Sequence, residues 1–195
     1  MKRSAGILLP IFSLPSEYGI GSLGAEARAF ANFLQDAGQS WWQILPVGPA
    51  GAGDSPYASE STFAGNPLFI DLDLLARDGL LTEEELASAR VPAGDKIDYA
   101  ALKKSREPLL RKAFSRVSGE AAEAARAFAE ERPWVREYAL YRAAKRHFGG
   151  LPWFQWPDEG LRRHETEAVE RWRVELAEEA AFETCVQYWF FTQWA

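Results

Sequence analysis

The chain has 195 residues, 47% of them hydrophobic and 26% charged, which is ordinary usage for a folded domain and excludes a disordered or fibrous chain. A formal charge of −6 and a pI near 5.1 argue against a nucleic-acid partner or a membrane surface, since either calls for a basic face. The single cysteine, Cys185, has no internal disulfide partner and reads as a small buried apolar residue, so the expected compartment is reducing, the cytoplasm.

Met1-Lys2-Arg3 ahead of the apolar stretch Ala5 to Phe12 imitates a signal peptide, but Pro10 interrupts it and no small-residue cleavage site follows. Gly6 to Phe12 therefore reads as a buried strand, closed by the breaker-rich loop Ser13 to Gly21. A helix should follow, with Ser22 as N-cap, Leu23, Ala27, Phe30 and Leu34 at helical spacing, and Gly38 as its stop. Trp41 to Val47 is a second short apolar run. Strand, helix and strand make a βαβ unit, a parallel pair covered by its crossover helix, and so predict an α/β fold.

From about Leu74 the pattern turns helical. Thr82 and Glu85 form a capping box, and Asp98 caps a helix that Pro108 breaks or kinks. Ala121 to Glu131 is rich in alanine, and Pro133 opens a helix that Gly149-Gly150 end. After the aromatic loop Leu151 to Pro157, one final helix is expected over most of Glu165 to Ala195. Phe182, Tyr188, Trp189, Phe190, Phe191 and Trp194 make it apolar over much of its circumference, so other structure has to cover it.

Searches for catalytic signatures return little. His147 and His164 are the only histidines and have no helical partner histidine, so no metal site is expected. The paired glutamates at 83–85, 130–131 and 178–179 point to different sides of their helices. Asp71 and Asp73 read as structural. The informative stretch is the long loop after the second strand, Gly48 to Pro67. Gly and Pro stiffen it, while Asp54, Ser55, Tyr57, Ser59 and Asn66 gather a carboxylate, hydroxyls, an amide and a ring. Sugars suit such a set; a self-bonded turn fits the same residues equally well.

Ile7 to Pro10, Tyr18 to Gly24, Trp42 to Pro49, Asp54-Ser55-Pro56-Tyr57 and Phe63-Ala64-Gly65-Asn66-Pro67 are similar, in order and spacing, to the opening of amylomaltase-type 4-α-glucanotransferases. Further matches at Asp98-Tyr99, Glu107 to Leu110, Gly149-Gly150, Trp153 to Pro157 and Gln187 to Trp194 extend the resemblance over nearly the whole chain. The resemblance implies an α/β architecture, the N-terminal portion of a (β/α)8 TIM barrel with a large, mostly helical insertion subdomain. Residues 1–74 would hold the first two β/α units and the substrate-facing loop, 75–164 the insertion, and 165–195 a helix leading into a third strand that lies outside this chain. A full barrel takes ~250 residues before insertions.

It also implies transfer of an α-1,4-glucan segment to another glucan's 4-hydroxyl by a retaining double displacement, without a cofactor. The nucleophile and acid/base carboxylates belong to later strands in this family, so no catalytic residue is assigned here and the chain alone is expected to be inactive. What carries over is substrate binding. Tyr57 would pack near the scissile sugar with Ser55 beside it, and Asp54 and Asn66 would shape the loop. The partners would be α-1,4-glucans and the rest of the barrel. Two positions depart from the family. Ala52 stands where some members carry an aromatic residue for a secondary glucan contact, and Ala58 where a polar residue is usual. The alternatives are a noncatalytic glucan-binding or regulatory module and a helical interaction protein grown from the insertion.

Overall fold

A computed structural model describes residues 3–91 and 94–195, with the backbone alone at Ala52; Met1-Lys2, weighed above as the start of a leader, lies outside them. The chain divides into two compact units. One runs to Val117 and includes Trp189–Ala195; the other is Ser118–Tyr188.

In the first unit, β1 (Gly6–Leu8) and β2 (Trp41–Gln43) pair in parallel with Ile7 opposite Trp42, joined through α1 (Ala25–Asp36). The expected βαβ unit is present. Leu9 N–H donates to Gln43 O at 3.0 Å and extends the ladder beyond the strands. Gly6 allows the close approach, since a Cβ there would lie 2.5 Å from the Trp41 carbonyl oxygen. Phe30 of α1 meets Trp42 edge to face at 4.9 Å.

Three expectations for this segment are corrected. The strands are shorter than read, because Ile11–Ser13 closes into a 3-10 turn directly after Pro10. They are also exposed rather than buried: Trp41 is 67% accessible, and Ile7, Leu8 and Phe33 are exposed with it. Among the described residues α1 covers only part of a two-stranded sheet, and no further layer lies on the rest. Ser22 does not cap α1, whose N-cap is Gly24. Its hydroxyl turns inward and donates to Asp71 Oδ2 at 2.6 Å.

The core of this unit lies where α2 (Leu72–Arg77), α3 (Glu83–Ala89) and α4 (Tyr99–Ser115) pack with the turn Pro67–Phe69. Ile70, Leu72, Leu75, Leu110 and Ala113 are buried there. Asp71 is buried among them and N-caps α2 through a 3.0 Å bond from Leu74 N–H to Oδ1. Its backbone is bound on both sides by one side chain. Asp71 N–H donates to Gln193 Oε1 at 2.7 Å, and Gln193 Nε2 donates back to Asp71 O at 3.2 Å. Arg106 is buried beside this group, and its Nη1 donates to Ile70 O at 3.4 Å. Burial pulls its pKa down to about 10, against the opposing pull of Asp71 and Tyr18. Arg106 is therefore a cation at neutral pH. Tyr18 donates to Asp73, so both aspartates read as structural have partners.

Thr82 and Glu85 form the expected capping box, and Asp98 caps α4 through Ala101 N–H at 2.9 Å. The helix runs through Pro108 without the predicted break. Pro108 and Lys104, whose carbonyl loses its donor, both lie on the exposed side, while Leu109, Leu110 and Ala113 anchor the buried side.

The second unit is helical: α5 (Gly119–Glu131), α6 (Pro133–His147), α7 (Glu159–Arg162), α8 (Thr166–Glu175) and most of α9 (Ala177–Trp194). Pro133 opens α6 and Gly149 follows its cap with φ +67°. The single final helix expected from Glu165 is two helices, because Leu176 turns out of helical geometry and buries with Leu140, Trp156, Leu161 and Val169. Arg146 donates to Glu179 at 2.8 Å and to the buried Glu183 at 2.9 Å. On α9 the apolar positions Phe182, Val186, Trp189 and Phe190 are all buried. Trp194 at the end of the helix is exposed, as are Ile7, Leu8 and Trp41 on the strand pair and Phe33 on α1.

Two stability predictions follow from this packing. A Cβ on Gly65 would lie 2.1 Å from the Phe190 ring, so Gly65→Ala should lower the unfolding free energy by ~1–3 kcal/mol, read from the urea midpoint. Glu85 is held down to about 2, first by Arg116, which donates at 2.7 and 2.9 Å, and then by Thr82 N–H. A depressed carboxylate stabilises the fold above its unfolded pKa and loses that contribution as the pH falls through its folded one. Glu85→Gln should thus be less stable than the parent chain at pH 7, with the gap closing between pH 4.5 and about 2.

Candidate functional site

The loop that follows β2 is folded back on itself rather than open. Ala50 and Ser59 form an antiparallel bridge, and Gly51 N–H donates to Ala58 O at 2.8 Å. Two glycines permit that closure: a Cβ on Gly48 would meet Ser59 Oγ at 2.6 Å, and one on Gly51 would meet Ala58 O at 2.4 Å. At the tip the backbone turns left-handed at Gly53 and Asp54, with φ +75° and +56°. Ala58 N–H then returns to Ser55 O at 3.1 Å.

Asp54, Ser55 and Tyr57 are brought together in this tip. Ser55 Oγ accepts from Tyr57 N–H at 3.3 Å, the bond of a local turn. The Tyr57 side chain is not drawn into the fold, and the residue is 74% exposed. The Asp54 carboxylate reaches α4, where Lys103 binds it in an ion pair. Tyr99 shares the first turns of α4, and burial together with the Asp54 charge raises its pKa. The tip is thus fixed from outside by a residue 49 positions away, which nothing in the spacing announces.

Asn66 is not part of the tip. It is buried, its Oδ1 accepts from Leu68 N–H at 3.0 Å, and its own N–H donates to Val47 O at 2.8 Å. Its amide thus closes the base of the loop, where Gly65 lies against Phe190. Between base and tip, Ser61 Oγ accepts from Phe63 and Ala64 N–H at 3.2 and 3.1 Å. Ala58 contributes only backbone bonds, and the departure at Ala52 falls on a side chain outside the described part. The result is a polar loop bonded to itself at base and tip that presents two aromatic rings to solvent, Tyr57 at the tip and Phe63 nearer the base. Among the described residues no group of three or more His, Cys, Asp or Glu side chains is placed to hold a metal ion, and no helix is long and apolar enough to cross a membrane.

Comparison with known proteins gives this geometry a context. The glycoside hydrolase 77 family, described as 4-alpha-glucanotransferase, matches residues 9–195. The 4-alpha-glucanotransferase of Thermus thermophilus is 46% identical over the whole of this chain and 39% of its own length. That of Streptococcus pneumoniae (TIGR4) is 41% identical over 99% of this chain and 39% of its own. The solved amylomaltase from Streptococcus agalactiae in complex with acarbose superposes with a TM-score of 0.93 at 38% identity, covering 99% of this chain and 40% of that one. The chain therefore spans about 39% of the length of these curated relatives.

The Asp54 tether gives a direct test of the loop. Exposed ion pairs contribute ~0–1 kcal/mol, so Lys103→Met should barely move the thermal midpoint. It should raise amide hydrogen exchange at Gly53 to Ala58 by up to about fivefold, as the tip opens locally.

Proposed function

The chain belongs to the 4-alpha-glucanotransferases of glycoside hydrolase family 77, and on that footing we propose that it supplies the substrate-facing edge of a retaining α-1,4-glucan transfer site. The observation that carries this reading is Tyr57, a large ring left 74% exposed at the tip of a loop in which Asp54, Ser55 and Asn66 are all bonded down. A flat ring packs against a pyranose face, and a backbone already bonded around it reduces the freedom lost on binding. Ser55 stands beside the ring with a hydroxyl that reaches a sugar hydroxyl, while Asp54 and Asn66 keep the tip and base of the loop in shape.

In this reading residues 1–74 are the first two β/α units of a (β/α)8 barrel, 75–164 its helical insertion and 165–195 the helix leading to a third strand. The exposed faces of β1 and β2 support it, since a parallel pair is stable only when covered. The division follows barrel topology, whereas the compact units change at 117/118 and 188/189. The catalytic carboxylates belong to the rest of the barrel. There a nucleophilic carboxylate displaces the donor's leaving sugar, which takes a proton from the acid/base group. The 4-hydroxyl of the acceptor then breaks the glycosyl-enzyme bond and returns that proton. The setting is the cytoplasm, where the buried Cys185, its pKa pushed up to about 11 by burial, stays an inert thiol.

Incubated with maltotriose, the pure 195-residue chain should release neither glucose nor longer maltodextrins. Calorimetry should show maltooligosaccharide binding that Tyr57→Ala weakens about tenfold. Transfer products from the chain alone would overturn the division of labour, and binding indifferent to Tyr57→Ala would overturn the site.

A further inference from the structure

The second unit contains an open cavity of about 170 Å³, framed by Glu137 and Tyr141 of α6, by Trp153 and Trp156 of the turn before α7, and by Arg162 and His164. We infer that it is a second carbohydrate-binding site, one that seats a single glucose ring of an α-1,4-glucan.

The turn that forms it treats two indoles in opposite ways. Trp156 is buried, and its Nε1 donates to Leu151 O at 3.0 Å. Trp153, three residues earlier in the same 3-10 turn, is 52% exposed on the cavity wall, with the exposed Phe154 edge-on at 5.9 Å. Leaving so large an apolar ring at the surface forfeits the burial that its neighbour obtains. Tyr141 supplies a second ring, 5.8 Å from Trp156. Rings on the wall and a polar rim are what a pyranose needs, because its faces are apolar and its edge carries hydroxyls.

The rim is fixed in place. Arg162 donates from Nη1 to Trp156 O, which leaves the rest of its fork of donors available. His164 and Glu137 pair at 3.0 Å, and Arg173 binds the second oxygen of Glu137. His164 has φ +56°, a conformation uncommon for a side-chain-bearing residue. Arg173 binds Glu170 as well as Glu137, so two carboxylates accompany the two arginines at the rim, which suits a neutral polyhydroxyl ligand better than an anion. The volume takes one ring, with the remaining glucan lying across the mouth. The identity of the sugar rests on the glucan reading of the Tyr57 loop; the location of the site does not.

The chain has two histidines, so the imidazole C–H spectrum carries two sets of signals and reports on this cavity locally. Titrating maltotetraose into the full chain should move the His164 signal saturably. Trp153→Ala should weaken that midpoint about tenfold, Trp153→Phe should retain part of it, and Tyr57→Ala should leave it unchanged. A His164 signal that does not move, that moves equally in Trp153→Ala, or that responds as well to sorbitol overturns the proposal. If Tyr57→Ala changes nothing in calorimetry while His164 still responds, the reading of the loop fails and this one stands.

Discussion

Asp71 is bound through every polar group it has. Gln193 takes both its N–H and its C=O, Leu74 N–H and the Ser22 hydroxyl take one carboxylate oxygen each, and Arg106 supplies the balancing charge. A buried carboxylate without such partners costs several kcal/mol. With them it fixes in one place the loop after β1, the start of α2 and the end of α9. Gly24 follows from the same contact, since a Cβ there would lie 1.9 Å from Asp71 Oδ2. Leu23 N–H, bonded to Phe69 O at 2.9 Å, closes the same junction from the backbone side.

The Tyr57 loop grows from that junction. Its base, Asn66 and Gly65, lies directly before the turn that ends in Ile70 and Asp71, and Phe190, one turn before Gln193, fills the space where a Gly65 side chain would be. Order at the base therefore comes from the Asp71 cluster, whereas order at the tip comes from Lys103 on α4. The tip tether is exposed and contributes little to global stability. Its effect is local, restricting the conformations from which Tyr57 is presented, and preorganisation of that kind strengthens binding without adding a contact.

What the sequence revealed and what it hid divide by range. Thr82 with Glu85, Asp98, Pro133 and Gly149 act within one helical turn of their own positions, and each is found in its expected role. The βαβ order was equally legible, because a short apolar run, a periodic segment and another apolar run leave few topologies. Ser22 was misread because a serine before a helical pattern has the signature of a cap, while its actual partner is 49 residues away. Gln193 lies in the family-like stretch Gln187 to Trp194, but nothing in its spacing names Asp71, 122 residues away, as its partner. The break at Leu176 was hidden because leucine is a good helix former and periodicity resumes at once. In the loop, chemistry grouped Asp54, Ser55, Tyr57 and Asn66 as one polar set, but it did not show that Asn66 turns inward to cap Leu68.

The aromatic content, undecided in the sequence between core and ligand contact, separates once each ring's environment is known. Phe190 and Trp156 are buried, and the indole N–H of Trp156 is satisfied within its own turn. Trp41 is exposed on the strand pair with its Nε1 bonded to Ser4 Oγ at 2.9 Å, the pattern of a face that another layer would cover. Tyr57 and Trp153 belong to neither group. Each is exposed on a backbone held tightly by its neighbours, with turn or rim polar groups beside the ring. A mobile exposed ring is a surface accident and a fixed buried one is packing. A large ring left exposed on a bonded backbone gains nothing for the isolated fold, and at Tyr57 and Trp153 that arrangement fits a ligand contact.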